Sequence, residues 1–176
     1  HEDHQFNGRI AVNVSGVQLE ESDFVSVLKN LLPCRHLNLN QLIEIELTES
    51  VLMKDPERWE SILKSIKEMG FTLAMDDFGT GYSSLAYLQR FDLDKLKIDK
   101  SFVDNLPSQS ESGAIVDTII SLGKSMNMKV IAEGAETEAQ SNCLKARGCD
   151  QLQGYFYAKP LSAEDATEFL KTHSHT

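Results

Sequence analysis

Two adjacent carboxylates, Asp76 and Asp77, close an apolar run in the segment FTLAMDDFGTGYSS (71–84). Neighbouring carboxylates repel one another, and a divalent cation held by oxygen ligands relieves that repulsion. Gly79 and Gly81 follow, residues that admit backbone angles other side chains avoid, and then Ser83 and Ser84, which start helices well. An ordinary strand-to-helix turn uses the same residue types, so the pair gains meaning only from what accompanies it.

It is accompanied at the end of every other apolar run. Asn13 closes IAVN, Glu46 closes IEIE, Lys97 closes KLK, Glu133 closes KVIAE and Gln153 closes QLQ. With Asp76 and Asp77 the set comprises four carboxylates, two amides and a lysine. Such hard oxygen and nitrogen groups suit Mg²⁺ or Mn²⁺ rather than zinc. Two ions sharing Asp76 as a bridge are suited to hydrolysing a phosphodiester. Adjacent strand residues point to opposite faces, so Asp77 joins Asp76 only if it has already turned into the glycine loop. Taken singly, each residue has an ordinary structural explanation: a satisfied strand amide for Asn13, a helix-entry cluster for Glu46 and Glu49, a surface lysine for Lys97, an acidic helix start for Glu133 and Glu136, a turn for Gln153. Their recurrence once per run, at the same end, is what those explanations leave out.

Six strands are predicted to position these groups, over 9–15, 42–47, 71–76, 95–99, 129–133 and 151–155. Helices are predicted over 22–32, 56–69, 83–90, 111–127, 136–147 and 163–171. Pro56 fits a first helical turn, and Gly70, Gly123 and Gly148 suit helix ends or kinks. Alternation of strand and helix argues for a parallel α/β sheet, either doubly wound or a TIM-type (β/α) barrel. Parity separates the two. Ile43, Ile45 and Leu47 share one face and Glu44 and Glu46 the other. Leu73 and Met75 oppose Thr72, Ala74 and Asp76; Leu96 and Ile98 oppose Lys95, Lys97 and Asp99; Ile10, Val12 and Val14 oppose Ala11, Asn13 and Ser15. A doubly wound sheet carries helices on both faces and reads apolar on both. A barrel with a polar interior and its site at the C-terminal strand ends is the better match. Only about six β–α units are present where a closed barrel has eight, so the expectation is one incomplete barrel domain over 1–176, lacking its N-terminal part and leaving two open parallel edges.

The net charge of −10 argues against binding DNA, RNA or an anionic membrane surface. Cys34, Cys143 and Cys149 are odd in number and form no C-x-x-C pair, which points to reduced structural thiols and a cytoplasmic location. No apolar run is long enough to span a bilayer. His1, His4, His173 and His175 are read as solvated termini.

The segments VNVS (12–15), IELTES (45–50), DDFGTGYSS (76–84), LKIDKSFV (96–103), IAEGAET (131–137) and QGYFYAKPL (153–161) resemble the EAL family, bacterial phosphodiesterases that open cyclic-di-GMP to linear pGpG with Mg²⁺ or Mn²⁺. The resemblance covers nearly the whole chain. It implies that Asn13, Glu46 and Asp76 hold one ion. Asp76 bridges to a second, assisted by Asp77, with Glu133 close by. Lys97 resembles the lysine that orients the attacking water. Glu133 resembles the general base, with metal binding as its other reading. Gln153 and Asp99 belong to the ligand side of the site. Glu49 resembles the glutamate that anchors the loop 78–84, and Glu136 has a similar supporting role. The implied partners are a cyclic dinucleotide, a second copy of the chain in a homodimer through the 78–91 region, and sensor or GGDEF domains upstream. The Glu-Ala-Leu motif that names the family is absent, and Ala135 stands where the family often has valine. With that glutamate missing, the fragment alone is expected to be weak or inactive. The alternative function is a non-catalytic module that binds cyclic-di-GMP or docks a partner. An unrelated Mg²⁺ barrel enzyme is a third reading.

Overall fold

A computed structural model of the chain describes residues 8–21, 23–31, 39–81, 85–108 and 110–173. Six strands form a single parallel sheet: β1 (Ile10–Asn13), β2 (Ile43–Thr48), β3 (Thr72–Phe78), β4 (Lys95–Ile98), β5 (Lys129–Ala132) and β6 (Gln151–Leu152). Each lies beside its neighbour in sequence, in the order β1 to β6. A doubly wound sheet reverses its strand order at a switch point. Here there is no reversal, so successive right-handed crossovers place the helices on one side, and the sheet curls into part of a barrel. The helices are α1 (Gly16–Glu20), α2 (Phe24–Leu31), α3 (Leu39–Leu42), α4 (Glu49–Lys54), α5 (Pro56–Glu68), α6 (Leu85–Arg90), α7 (Lys100–Val103), α8 (Ser110–Ser125), α9 (Glu138–Ala146) and α10 (Ala163–His173).

The parity of the strands sets the core. Ile45, Leu47, Leu73, Met75, Leu96, Ile98 and Val130 turn toward the helices and are buried. In α5, Trp59, Leu63 and Ile66 recur at helical spacing and bury one stripe against them. Full burial of each such side chain contributes about 1.5–3 kcal/mol relative to exposure. The Trp59 indole N–H donates to the Val51 carbonyl at 2.9 Å, so its polar edge is satisfied. Pro56 opens α5, as expected, and Gly70 ends it at a φ of +87°.

Several elements differ from the sequence expectation. The predicted 22–32 helix is preceded by α1, which Ser15 caps in a reciprocal box with Gln18. The short helices α3, α4 and α7 were not predicted, since each has fewer than seven residues and too little periodicity to register. The start of α9 moves from 136 to Glu138 because Thr137 caps it, accepting from the Gln140 N–H. Gly123 lies in the last turn of α8, where a Cβ would stand 2.3 Å from Val130 Cγ2, so it also lets α8 approach β5. Strand β6 is short because Gly154 turns tightly against Ala135. On β1, Ile10 and Val12 are 60% and 42% exposed, with no cover over them among the described residues. Ser22, Cys34, Ser83, Ser84, His1, His4 and His175 lie outside the described residues.

Candidate active site

The inner face of the sheet is polar along its length and converges on Lys97. Its ammonium lies 2.8 Å from Glu46 Oε2, 3.1 Å from Asp76 Oδ1 and 2.5 Å from Glu133 Oε1. Strands β2, β3 and β4 and the residue after β5 thus each deliver one charged group to one point. Lys97 is 2% exposed and Glu46 5%. Burial alone pulls the Lys97 ammonium toward neutrality, but its hydrogen bonds to Glu133 and Glu46 outweigh that and hold it firmly protonated. Burial pushes the Glu46 and Glu133 carboxyls above the usual carboxylate range, only partly opposed by Lys97.

Asp77 reaches the same face by a route the sequence did not suggest. It has not left the strand; β3 continues to Phe78 and carries a bulge. Met75 pairs with Leu96 and Phe78 with Ile98, so Asp76 and Asp77 together oppose the single residue Lys97. Asp77 adopts a φ of +55°, a left-handed conformation that aspartate tolerates better than most residues. The Asp77 N–H donates to Asp76 Oδ1 at 3.0 Å. Ligand oxygens of Asp76, Asp77 and Glu133 all lie within 4.8 Å of one another. Burial, then the charges of Asp76 and Asp99, raise the Asp77 carboxyl above its ordinary range. Asp99, at the exit of β4, therefore faces this cluster, while its own Oδ1 caps α7 by accepting from the Ser101 N–H at 3.0 Å.

Glu49 is set apart from the cluster. It is buried in the first turn of α4, and its Oε2 accepts from the backbone N–H groups of Gly79 at 2.9 Å and Gly81 at 3.3 Å. Gly79 has a φ of +98°, and a Cβ there would stand 2.9 Å from Phe102 Cε2. The grip on the loop expected of Glu49 is present over 79–81; residues 82–84 lie outside the described chain. Glu136 is exposed and is held by Lys100 at 2.5 Å, on the rim of the site rather than in it. Asn13 ends β1 in register with Glu46 and is exposed. Gln153 lies just past β6, also exposed, with its N–H donating to the Ala132 carbonyl at 2.9 Å.

Two groups were missed by sequence reasoning. One rung below Lys97 and Glu46, Lys95 Nζ lies 2.6 Å from Glu44 Oε2, an ion pair whose angles fall outside hydrogen-bonding geometry. Strand parity predicts both positions, two residues before the pair above. Lys100 is the other, flagged only by its place beside Asp99. Below these groups a trough of about 570 Å³ runs across the inner face past Glu46, Ile131 and Gln153.

Around Lys97 four carboxylates face one ammonium, so the site carries excess negative charge aimed at a common volume. An all-oxygen donor set of this type fits Mg²⁺, Mn²⁺ or Ca²⁺. Such an ion must displace protons that Glu46, Asp77 and Glu133 hold more tightly than ordinary carboxyls do. Lowering the pH from about 7 to about 5 is therefore expected to weaken Mn²⁺ binding by tenfold or more, because more of these groups become protonated. Calorimetric titration with Mn²⁺ across that range measures it; an unchanged affinity would contradict the raised carboxyl pKa values.

The EAL domain family model matches residues 1–160. The chain is 43% identical over 155 residues to the bifunctional diguanylate cyclase/cyclic di-GMP phosphodiesterase MucR of Pseudomonas aeruginosa, covering 88% of the chain and 22% of that protein. It thus spans about a fifth of the length of the curated relatives it matches. Among solved structures, the PaMucR phosphodiesterase in complex with c-di-GMP superposes with a TM-score of 0.85 at 41% identity, covering 90% of this chain and 70% of that one. The Klebsiella pneumoniae BlrP1 manganese/cy-diGMP complex at pH 9.0 gives 0.80 at 31% identity, covering 88% and 39%. No helix among the described residues is long and apolar enough to cross a membrane.

Proposed function

The chain belongs to the EAL domain family, and we propose that its site hydrolyses cyclic-di-GMP to linear pGpG with two bound Mg²⁺ or Mn²⁺ ions. The observation that carries this reading is the convergence of Asp76, Asp77 and Glu133 oxygens beside the buried Lys97. Bound divalent ions supply a nucleophilic hydroxide at neutral pH and neutralise phosphate charge. Asp76, Asp77, Glu46 and Asn13 are the residues assigned to hold them. Lys97, kept protonated by its carboxylate partners, offers a fixed positive charge where negative charge develops on the phosphoryl oxygens. Glu133, half-buried with a raised pKa, is suited to taking the proton of the attacking water. One P–O bond forms from that water and one to a ribose 3′-oxygen breaks, opening the ring.

Incubating the purified protein with Mn²⁺ and cyclic-di-GMP and separating the products by chromatography is expected to yield pGpG. Binding of cyclic-di-GMP in Ca²⁺ with no pGpG in Mn²⁺ would instead support a binding module. Neither binding nor product would defeat both.

A further inference from the structure

The turn that follows β3 is held from two directions. Glu49 takes the N–H groups of Gly79 and Gly81, and an aromatic ring presses on Gly79 from another side. A Cβ on Gly79 would stand 2.9 Å from Phe102 Cε2, 3.2 Å from its Cζ and 3.4 Å from Ile119 Cδ1, so only a hydrogen fits there. The turn closes on itself around that contact, since Thr80 Oγ1 donates to the Asp77 carbonyl at 2.9 Å. A displacement of Gly79 is therefore passed to Asp77, both along the backbone and across this hydrogen bond.

The ring is itself fixed by the short helix that bears it. Phe102 lies in α7, packed against the hydrophobic core, and its N–H donates to the Asp99 carbonyl at 3.1 Å. At the other end of α7 the Val103 carbonyl accepts from Gln140 Nε2 at 3.2 Å, a buried contact. Gln140 Oε1 in turn accepts from the N–H groups of Glu136 and Thr137, each at 2.9 Å. One side chain thus ties α7 to the segment that follows Glu133. A Cβ on Gly134 would fall 2.3 Å from Lys100 Cγ, so the first residue of α7 also lies tightly against that segment. Helix α7 is therefore seated on the exit of β5 and, through the Phe102 ring, braces the exit of β3. Those two exits carry the carboxylates that converge: Asp76 and Asp77 from one, Glu133 from the other.

We propose that Phe102 is a positioning residue for the metal cluster: its ring sets the β3 exit, and Asp77 with it, against the β5 exit that carries Glu133; this rests on the reading given under Proposed function. Losing an outer support of metal ligands lowers metal affinity or activity roughly 10- to 100-fold. The test is Mn²⁺ calorimetry on the purified protein, with kcat at saturating Mn²⁺ and a melting curve, for Phe102→Leu, Phe102→Met and Phe91→Leu. Phe91 is a matched control, 2% exposed and placed ahead of β4, at the end of the sheet away from the cluster. Methionine fills similar volume with a flexible chain, so Phe102→Met serves where Phe102→Leu fails to fold. All three variants are expected to melt earlier than the wild type, from lost packing. Only the Phe102 variants are expected to bind Mn²⁺ roughly 10- to 100-fold more weakly and to lose kcat by a similar factor. Phe102 variants that melt earlier yet keep the wild-type Mn²⁺ affinity would overturn the proposal, leaving the ring a packing residue only. Equal weakening in Phe91→Leu would overturn it as well, because general loosening of the fold would then suffice. A wild-type protein that binds no Mn²⁺ would instead overturn the functional reading beneath it.

Discussion

An Asp76→Asn variant is expected to lose at least about a hundredfold in cyclic-di-GMP turnover, the loss already typical of an outer-shell partner of a metal ligand, and most of its Mn²⁺ affinity. Asp76 sits between the two halves of the cluster: its Oδ1 lies 3.1 Å from the Lys97 ammonium and accepts from the Asp77 N–H at 3.0 Å. Asparagine retains an oxygen in that position, so the hydrogen bond from Asp77 survives and the fold is expected to hold. What disappears is one negative charge among the four carboxylates of the cluster. Product analysis and Mn²⁺ calorimetry on the same preparation, with circular dichroism as the control for folding, measure the effect. Turnover at the wild-type level would remove Asp76 from the metal centre.

Replacing Lys97 by methionine is expected to strike stability as well as activity. Among the described residues the ammonium is the one cation in contact with Glu46, Asp76 and Glu133, and two of those carboxylates are almost fully buried. Removing one partner of a buried ion pair leaves an uncompensated charge, at a cost of about 3–5 kcal/mol. Methionine fills similar volume, so the loss is attributable to charge rather than to a cavity. Divalent ions neutralise the same carboxylates, and any ligand that binds only the folded state stabilises it. Urea unfolding of Lys97→Met is therefore expected to show a large loss without metal and a partial recovery in Mn²⁺, larger than the wild type gains. Equal stability of the two proteins without metal would show that the carboxylates are neutral there and need no cation.

Much of this was legible in the alternation of residue types. IEIELT and KLKID state which face carries the core and which carries the site, and the barrel follows from a sheet that is apolar on one side only. The consecutive strand order bears that out. Lys97, Glu46, Asp76 and Glu133 were picked from parity and do converge. Other features were not legible because they depend on contacts distant in sequence. From its own segment Glu49 reads as part of a helix entry, and it does begin α4; only the family resemblance pointed to the loop thirty residues later that its carboxylate holds. Glu136 reads as an acidic helix start with a supporting role, and its ion pair with Lys100 lies too far along the chain to be read from that segment. Nothing in KSM or MNMK indicates that Gly123 exists to admit Val130.

The bulge at Asp77 ties ligand number to loop phase. In a strand of strict alternation Phe78 would share the face of Asp76; displaced by one position, it pairs with Ile98 and enters the hydrophobic core, buried to 6% exposure. The glycines that Glu49 grips begin at the very next residue. Removing the inserted residue would do more than subtract one carboxylate. It would turn a phenylalanine into the polar trough and shift every N–H of the loop out of reach of Glu49. The number of carboxylates in the cluster and the anchoring of its flanking loop are thus set by the same inserted residue.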